Sequence, residues 1–216
     1  GTYNIKINIL SVNGGEDKLD DNVMTKTFNV SLAEKQRIPM IEHFSSSTCA
    51  PCVLINSLMH KLTNENPGKY TYTKYVVNFP GKGDPYYTEE VGTRMSYYNV
   101  LSVPQVHFDG ALIDKASINE DTFKKHYNKE ALADIRGSFS ATGTTINVTA
   151  DFMTYFNAKD IKAYVSVNEK TTTGNTVEYG GNGEKEFHHV MLKMMDGGYG
   201  TETTINAGDY KRFEFT

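Results

Sequence analysis

Cys49 and Cys52 are the only cysteines in 216 residues, and their spacing constrains the chain more than any other feature. They bracket Ala50-Pro51, follow a short apolar run from Ile38 to Phe44, and precede an amphipathic helix pattern. The pair therefore sits where a strand gives way to a helix. Unpaired N–H groups and the helix dipole favour a thiolate at such a position, so Cys49 is the expected nucleophile, partly exposed and with a lowered pKa. Cys52, one helical turn in, is expected to be shielded and suited to resolving a mixed disulfide. Zinc ligands share this spacing, but a zinc site needs four ligands. With no other cysteine, donors would have to come from His43, His60, His107, His126, His188 or His189, and no metal is assigned. Two cysteines also exclude a disulfide-stapled scaffold.

Three zones follow along the chain. In residues 1–36, Tyr3, Ile5, Ile7 and Ile9 alternate with Asn4, Lys6, Asn8 and Leu10 before a turn at Asn13-Gly14-Gly15, and a second strand runs from Val23 to Val30. Two strands alone are marginal in water and must lean on something else. Residues 37–135 alternate strand and helix. After the cysteines, Leu54, Leu58 and Leu62 recur at four-residue spacing, flanked by Ile55 and Met59, until Pro67-Gly68. A strand from Tyr70 to Phe79 follows. Asp84-Pro85 is the expected cap of a helix whose apolar face is Tyr87, Val91, Met95 and Tyr98. Val103 to Asp109 is another strand, and Ser117 with Glu120 predicts a capping box for a helix carrying Phe123, Tyr127 and Ala131. This alternation predicts an α/β layer. From about Arg136 the period changes to two, as in Ile161, Ala163, Val165 and Val167. Residues 136–216 are therefore expected to form a separate all-β sandwich without a catalytic group, giving an α+β chain overall.

Composition removes several functions. Apolar residues make up 38 % and charged residues 22 %, at a net charge of −4, so a packed core is feasible. There is no Lys/Arg run beyond pairs, which argues against nucleic acid as a partner. No stretch approaches the roughly 18 to 20 apolar residues of a membrane span. No signal peptide is visible, but a sequence beginning at Gly1 says nothing about export.

A second marker completes a pattern. Val103-Pro104 opens the strand Gln105-Val106-His107-Phe108, which ends in Asp109-Gly110. A CxxC at a strand-to-helix junction followed by such a Val-Pro strand resembles the thioredoxin fold over residues 37–135. The resemblance implies that the cysteines cycle between dithiol and disulfide, and that a cis Val103-Pro104 bond lies against Cys49. It also implies that Val103 presents its backbone to a substrate chain, with protein thiols or disulfides as partners and no cofactor. More narrowly, Pro39-Met40-Ile41-Glu42-His43-Phe44 through the CxxC, with the later Glu186-Phe187-His188-His189-Val190-Met191, resembles outer-membrane lipoproteins of Bacteroidales. Those are exported proteins of the Gram-negative periplasm or cell surface with a thioredoxin-like core and β domains. Membrane association would come only through an anchor outside this sequence. The N-terminal hairpin resembles the last two strands of an immunoglobulin-like domain.

Departures from that pattern matter. The residue before Cys49 is Thr48 where thioredoxins usually carry Trp, and the chain has no Trp. The position six residues before Cys49, commonly a buried acid that accepts the proton of the resolving thiol, is His43 beside Glu42. His43 can serve as a base near neutral pH, although a satisfied core histidine is the plainer reading. A competing function follows: a surface binding or assembly module that keeps the scaffold and uses the pair as a structural disulfide. Other features are set aside. The acidic loop from Asp17 to Asn22 lacks the Gly and terminal Glu of an EF-hand. Asn29-Val30-Ser31 and Asn147-Val148-Thr149 match a glycosylation sequon. His188 and His189 should face opposite sides of a strand and so share no metal. The tyrosines, among them Tyr70, Tyr72, Tyr75, Tyr86, Tyr87, Tyr97 and Tyr98, are read as packing rather than as a peptide-binding surface.

Overall fold

A computed structural model describes residues 2–16, 22–30, 33–82, 84–173, 175 and 181–216. It is a mixed α/β protein, mostly strands, with three α-helices among the described residues. In chain order the elements are β1 (Thr2–Asn8), β2 (Ser11–Val12), β3 (Gly15–Glu16), β4 (Val23–Asn29), β5 (Lys35–Gln36) and β6 (Met40–Ser45). Then come α1 (Cys52–Glu65), β7 (Thr71–Val76), α2 (Glu89–Tyr98), β8 (Gln105–Phe108), β9 (Ala111–Ile113) and α3 (Glu120–Tyr127). The remainder is β10 (Glu130–Ala131), β11 (Ala133–Thr142), β12 (Thr145–Thr154), β13 (Ala158–Ala163), β14 (Ser166–Thr173), β15 (Glu186–Met194), β16 (Thr201–Ile205) and β17 (Tyr210–Phe215).

The chain divides into two compact units, each assembled from separated stretches. One comprises Gly1–Lys35, Leu132–Asp160 and Thr204–Glu214. Within it β1 and β4 pair antiparallel, from Thr2 opposite Asn29 to Asn8 opposite Val23. The turn between β2 and β3 is made by Asn13 and Gly14, at φ of 52° and 80°, the left-handed pair that a two-residue hairpin turn requires. Strands β11, β12 and β17 form a three-stranded sheet, held in part by Arg212 donating to both Asp151 oxygens at 2.7 and 2.8 Å. The Asp17–Asp21 part of the acidic loop and Ser31 of the first sequon lie outside the described residues.

The other unit, Gln36–Ala131 with Ile161–Thr203 and the last two residues, carries the cysteines. Its six-stranded sheet has the order β14-β15-β7-β6-β8-β9. Strand β7 runs parallel to both β6 and β15, while β8 runs antiparallel to β6. Strand alternation sorts the core into two layers. Ile41, Tyr72, Val106 and Phe108 pack against Ile55, Met59 and Leu62 of α1 and Phe123 of α3. On the opposite face Phe44, Tyr75, Met191 and Met194 pack with Val91 of α2 and Val100. Glu42 faces this second layer, 2 % exposed, and accepts from Tyr75 Oη at 2.9 Å, Arg94 Nη2 at 2.8 Å and the Tyr98 hydroxyl.

The expected separate sandwich over 136–216 is corrected here. Strands β14 and β15 belong to the same sheet as β6 and β7, so the α/β unit borrows strands from beyond residue 160. The physical reason is legible in β15. Phe187, Val190, Met191 and Met194 are all 2 % exposed or less, so the strand is apolar on both faces, as an interior strand with a parallel neighbour must be. Strict alternation, the signature of a one-sided sheet, does not describe it.

Helix details also differ. Leu54 is 65 % exposed, and the buried face of α1 is carried by Cys52, Ile55, Asn56, Met59, Leu62 and Thr63. Helix α2 begins four residues beyond Pro85, capped by Thr88, whose hydroxyl accepts from Val91 N–H. Asn119, not Ser117, caps α3 through Thr122 N–H at 3.0 Å, and Ala131 lies in β10 rather than on that helix.

Because β15 is interior, residues 37–135 alone should not fold. That fragment is expected to lack a cooperative urea transition, and Met191→Ala in the whole chain should cost about 2–5 kcal/mol. A fragment with native-like helical circular dichroism and a sharp transition would contradict this topology.

Candidate redox site

Strand β6 delivers the chain into a tightly bonded turn. Ser46 Oγ and Thr48 Oγ1 lie 2.9 Å apart, and Thr48 N–H donates to Ser46 Oγ at 3.1 Å. Asp84, expected as a helix cap, is instead buried against this turn and accepts from Ser47 N–H at 2.8 Å. Gly81 N–H donates to Thr48 Oγ1 at 3.0 Å, and a Cβ at Gly81 would lie 2.7 Å from Thr48 Cγ2, so only glycine fits. The turn ends in Cys49, and α1 begins at Cys52 with Pro51 at the cap position, where no N–H is missed.

The sulfurs of Cys49 and Cys52 are bonded at 2.02 Å. Cys49 is 1 % exposed and Cys52 0 %, which corrects the expectation of a partly exposed Cys49. Two loops pack against the cysteine turn. The Val103–Pro104 peptide is cis, and the Val103 carbonyl oxygen lies 3.7 Å from Cys49 Sγ. As the sulfur carries no proton in the disulfide, this is a contact rather than a hydrogen bond. The second loop is the connection entering β15. Asn182 donates its backbone N–H to Ser47 O at 2.7 Å, and its amide donates to Ser46 O at 3.2 Å and Cys49 O at 3.0 Å. Beside the pair an open cleft of about 510 Å³ is lined by Pro51, Leu54, Leu58, Pro104 and Ile118.

Beneath the helix start lies a polar layer that the sequence reading missed. Asn56 sits one turn after Cys52 on the buried face of α1. It accepts from Ser45 Oγ at 3.2 Å and donates to the two Glu184 oxygens at 3.0 and 2.9 Å. Asn182 also donates to Glu184, at 2.8 Å. Burial pushes the 2 %-exposed Lys74 down to about 8, while the nearby Glu184 opposes that fall. Lys74 is opposite His43 in the β6–β7 register. A lysine inside the apolar run Tyr70–Phe79 was the one available signal. Asn182 and Glu184 gave none, since their stretch reads as a glycine-rich turn, and Gly180 of that turn lies outside the described residues.

His43 is wholly buried, with Nδ1 2.7 Å from Tyr72 Oη and Nε2 without a partner among the described residues. Burial first, and the Lys74 charge second, hold its pKa well below the ordinary value. Its neighbour Glu42 points to the other face of the sheet, as alternation requires. His188 stacks on His60 at 4.0 Å, whereas His189 lies against Tyr70 and Tyr72.

No protein-family model and no curated protein matches the sequence. Among solved structures, HBP35 of Porphyromonas gingivalis superposes on 83 % of this chain with a TM-score of 0.65 and 13 % identity. This chain spans 63 % of that one. A structural-genomics target from Agrobacterium tumefaciens matches 85 % of this chain and 80 % of its own, with a TM-score of 0.56 and 17 % identity. Likeness at these identities extends to the fold alone. Oxidized thioredoxin O2 from Arabidopsis thaliana overlays 42 % of this chain and 76 % of its own at 21 % identity, but its TM-score of 0.32 is too low to define a shared fold.

The buried histidines give stability a defined pH dependence. The folded pKa of His43 lies below the unfolded value near 6.5, so below that pH the unfolded chain takes a proton that the folded one refuses. Stability is therefore expected to fall between pH 7 and 5. His189, held at about 4 mainly by burial, acts in the same direction. Replacing His43 by Gln should flatten the fall by up to about 1.4 kcal/mol per pH unit. Urea midpoints at pH 7 and 5 measure this, and an unchanged slope in the variant would contradict it.

Proposed function

We propose that the chain is an exported thiol–disulfide exchange protein on a thioredoxin-like scaffold, with Cys49 as the exchanging sulfur and Cys52 as its resolving partner. One observation carries the reading: the bonded pair sits at the start of α1, with Cys49 Sγ against the Val103 carbonyl and an apolar cleft alongside. The HBP35 likeness supports the scaffold and comes from a Bacteroidales species, the group to which the sequence resemblance leads. Export and attachment to a cell envelope rest on that sequence resemblance.

The chemistry is a balanced exchange. A substrate thiolate attacks Cys49 Sγ, the Cys49–Cys52 bond breaks, and Cys52 departs as a thiolate with the electron pair. A second substrate thiolate then attacks the substrate sulfur of the mixed disulfide and releases Cys49 as a thiolate. The pair gains two electrons, the substrate dithiol becomes a disulfide, and the two protons lost by the substrate end on Cys49 and Cys52. Reversal oxidises the pair. In this reading Pro104 and Val103 form the wall against which an extended substrate lies, with Val103 offering its backbone. Glu184, bonded to Asn56 one turn after Cys52, brings a carboxylate to the buried face of α1 and acts electrostatically on Lys74. In the reverse direction His43, whose Nε2 has no partner among the described residues, is the proposed acceptor of the Cys52 proton.

The second reading, a binding or assembly module with a structural disulfide, draws on the near-complete burial of both cysteines. Oxidised glutathione separates the two. A Cys52→Ser variant should acquire one glutathione on Cys49, whereas Cys49→Ser should acquire none. Asn182→Ala, combined with Cys52→Ser, should speed the adduct several-fold by loosening the loop that ties down the cysteine turn. Mass spectrometry reads each product, and absence of an adduct in every variant would leave the structural disulfide.

A further inference from the structure

A second cleft, of about 740 Å³, lies away from the cysteines between the outer face of α2 and the chain around Tyr164 and Tyr199. Its floor is the helical stripe Gly92, Thr93 and Ser96, small residues at three- and four-residue spacing that keep the surface concave. Glycine is required at Gly198, where a Cβ would lie 3.3 Å from the Glu90 carbonyl at a φ of 85° that already favours glycine.

The walls are aromatic and held from behind. The Arg94 guanidinium lies 4.5 Å from the Tyr97 ring and 4.4 Å from the Tyr164 ring, so one buried cation braces both sides of the cleft. Arg94 is 3 % exposed and is fixed in turn by Glu42. Tyr97 and Tyr199 are nevertheless 64 % and 70 % exposed. An exposed Tyr97 braced by Arg94, facing Tyr199 across a floor of small residues, forms a preorganised surface, not unfinished core.

We propose that this cleft binds a neutral saccharide. The choice follows from the donors and acceptors. Glu89 can only accept, and so, towards a ligand, can the Thr93 and Ser96 hydroxyls, whose protons go to the Glu89 and Gly92 carbonyls; Lys162, paired with Glu202 and close to the Tyr199 carbonyl, can only donate. Sugar hydroxyls do both, and the C–H faces of the ring suit tyrosine faces. A polyproline segment has no backbone N–H and would leave Glu89 nothing to accept from. A cationic ligand would meet Lys162 and find Arg94 already against two of the rings.

Titration of the whole chain with maltohexaose, cellohexaose and chitohexaose, followed by NMR of ¹³C-labelled tyrosine rings, tests this directly. At least one hexasaccharide should give saturable shifts at Tyr97 and Tyr199. Tyr97→Ala and, separately, Tyr199→Ala should each weaken that binding roughly tenfold, the Tyr199 variant with an unchanged urea midpoint. The proposal is overturned if none of the three sugars shifts these rings, if decaproline shifts them instead, or if both variants bind as tightly as the parent.

Discussion

The buried carboxylate of Glu42 organises the unit that carries the cysteines. It is bonded by Tyr75 from the neighbouring strand and by Arg94 and Tyr98 from α2, in a layer closed to water. Burial would discharge Arg94, but Glu42 beside it raises its pKa instead. Burial, with the Glu42 charge, likewise keeps Tyr75 protonated far above its ordinary range. Such a group resists partial dismantling, because removing either charge strands the other in low dielectric at about 3–5 kcal/mol. Its geometric result is to lock α2 to β6 and β7. Strand β6 leads directly into the cysteine turn, and Arg94 braces the tyrosine cleft, so both candidate sites hang from one carboxylate.

The cysteine turn is in turn fixed from residues distant in sequence. Asp84 holds Ser47, Gly81 holds Thr48, and Asn182 spans the carbonyls of Ser46, Ser47 and Cys49. The loop before β15 thus ties down the cysteine turn through Asn182 and, through Glu184, brings a carboxylate to Asn56. On the proposed reading, the apolar cleft beside Pro51 and Pro104 is where the rest of a substrate chain would lie.

Much of this was legible before the structure, for identifiable reasons. The cysteine pair, the strand before it and the Val103-Pro104 strand are local patterns, and β6, α1, β7 and β8 form where their periodicity places them. Non-local choices were not legible. Nothing in Asn182 or Glu184 marks them as partners of residues more than a hundred positions earlier. Strand β15 falls in a different sheet from the one expected because the sequence reading extends the alternation of Ile161, Ala163, Val165 and Val167 over the whole of 136–216. Asp84-Pro85 has the form of a helix cap, yet tertiary bonding drew Asp84 to Ser47 and left Thr88 to cap α2. The exposure of Tyr97 and Tyr199 was also hidden, since tyrosine at helical or strand spacing reads equally well as core.

The central claim is that the Cys49–Cys52 bond exchanges electrons with other thiols rather than simply bracing a turn. Equilibrating the intact chain in graded glutathione buffers, trapping free thiols by alkylation and weighing the products gives its reduction potential. The pair should follow the buffer, with a midpoint within the roughly −270 to −120 mV spanned by exchanging dithiols of this kind. A pair that stays bonded to below about −300 mV would be a structural disulfide and would contradict the account.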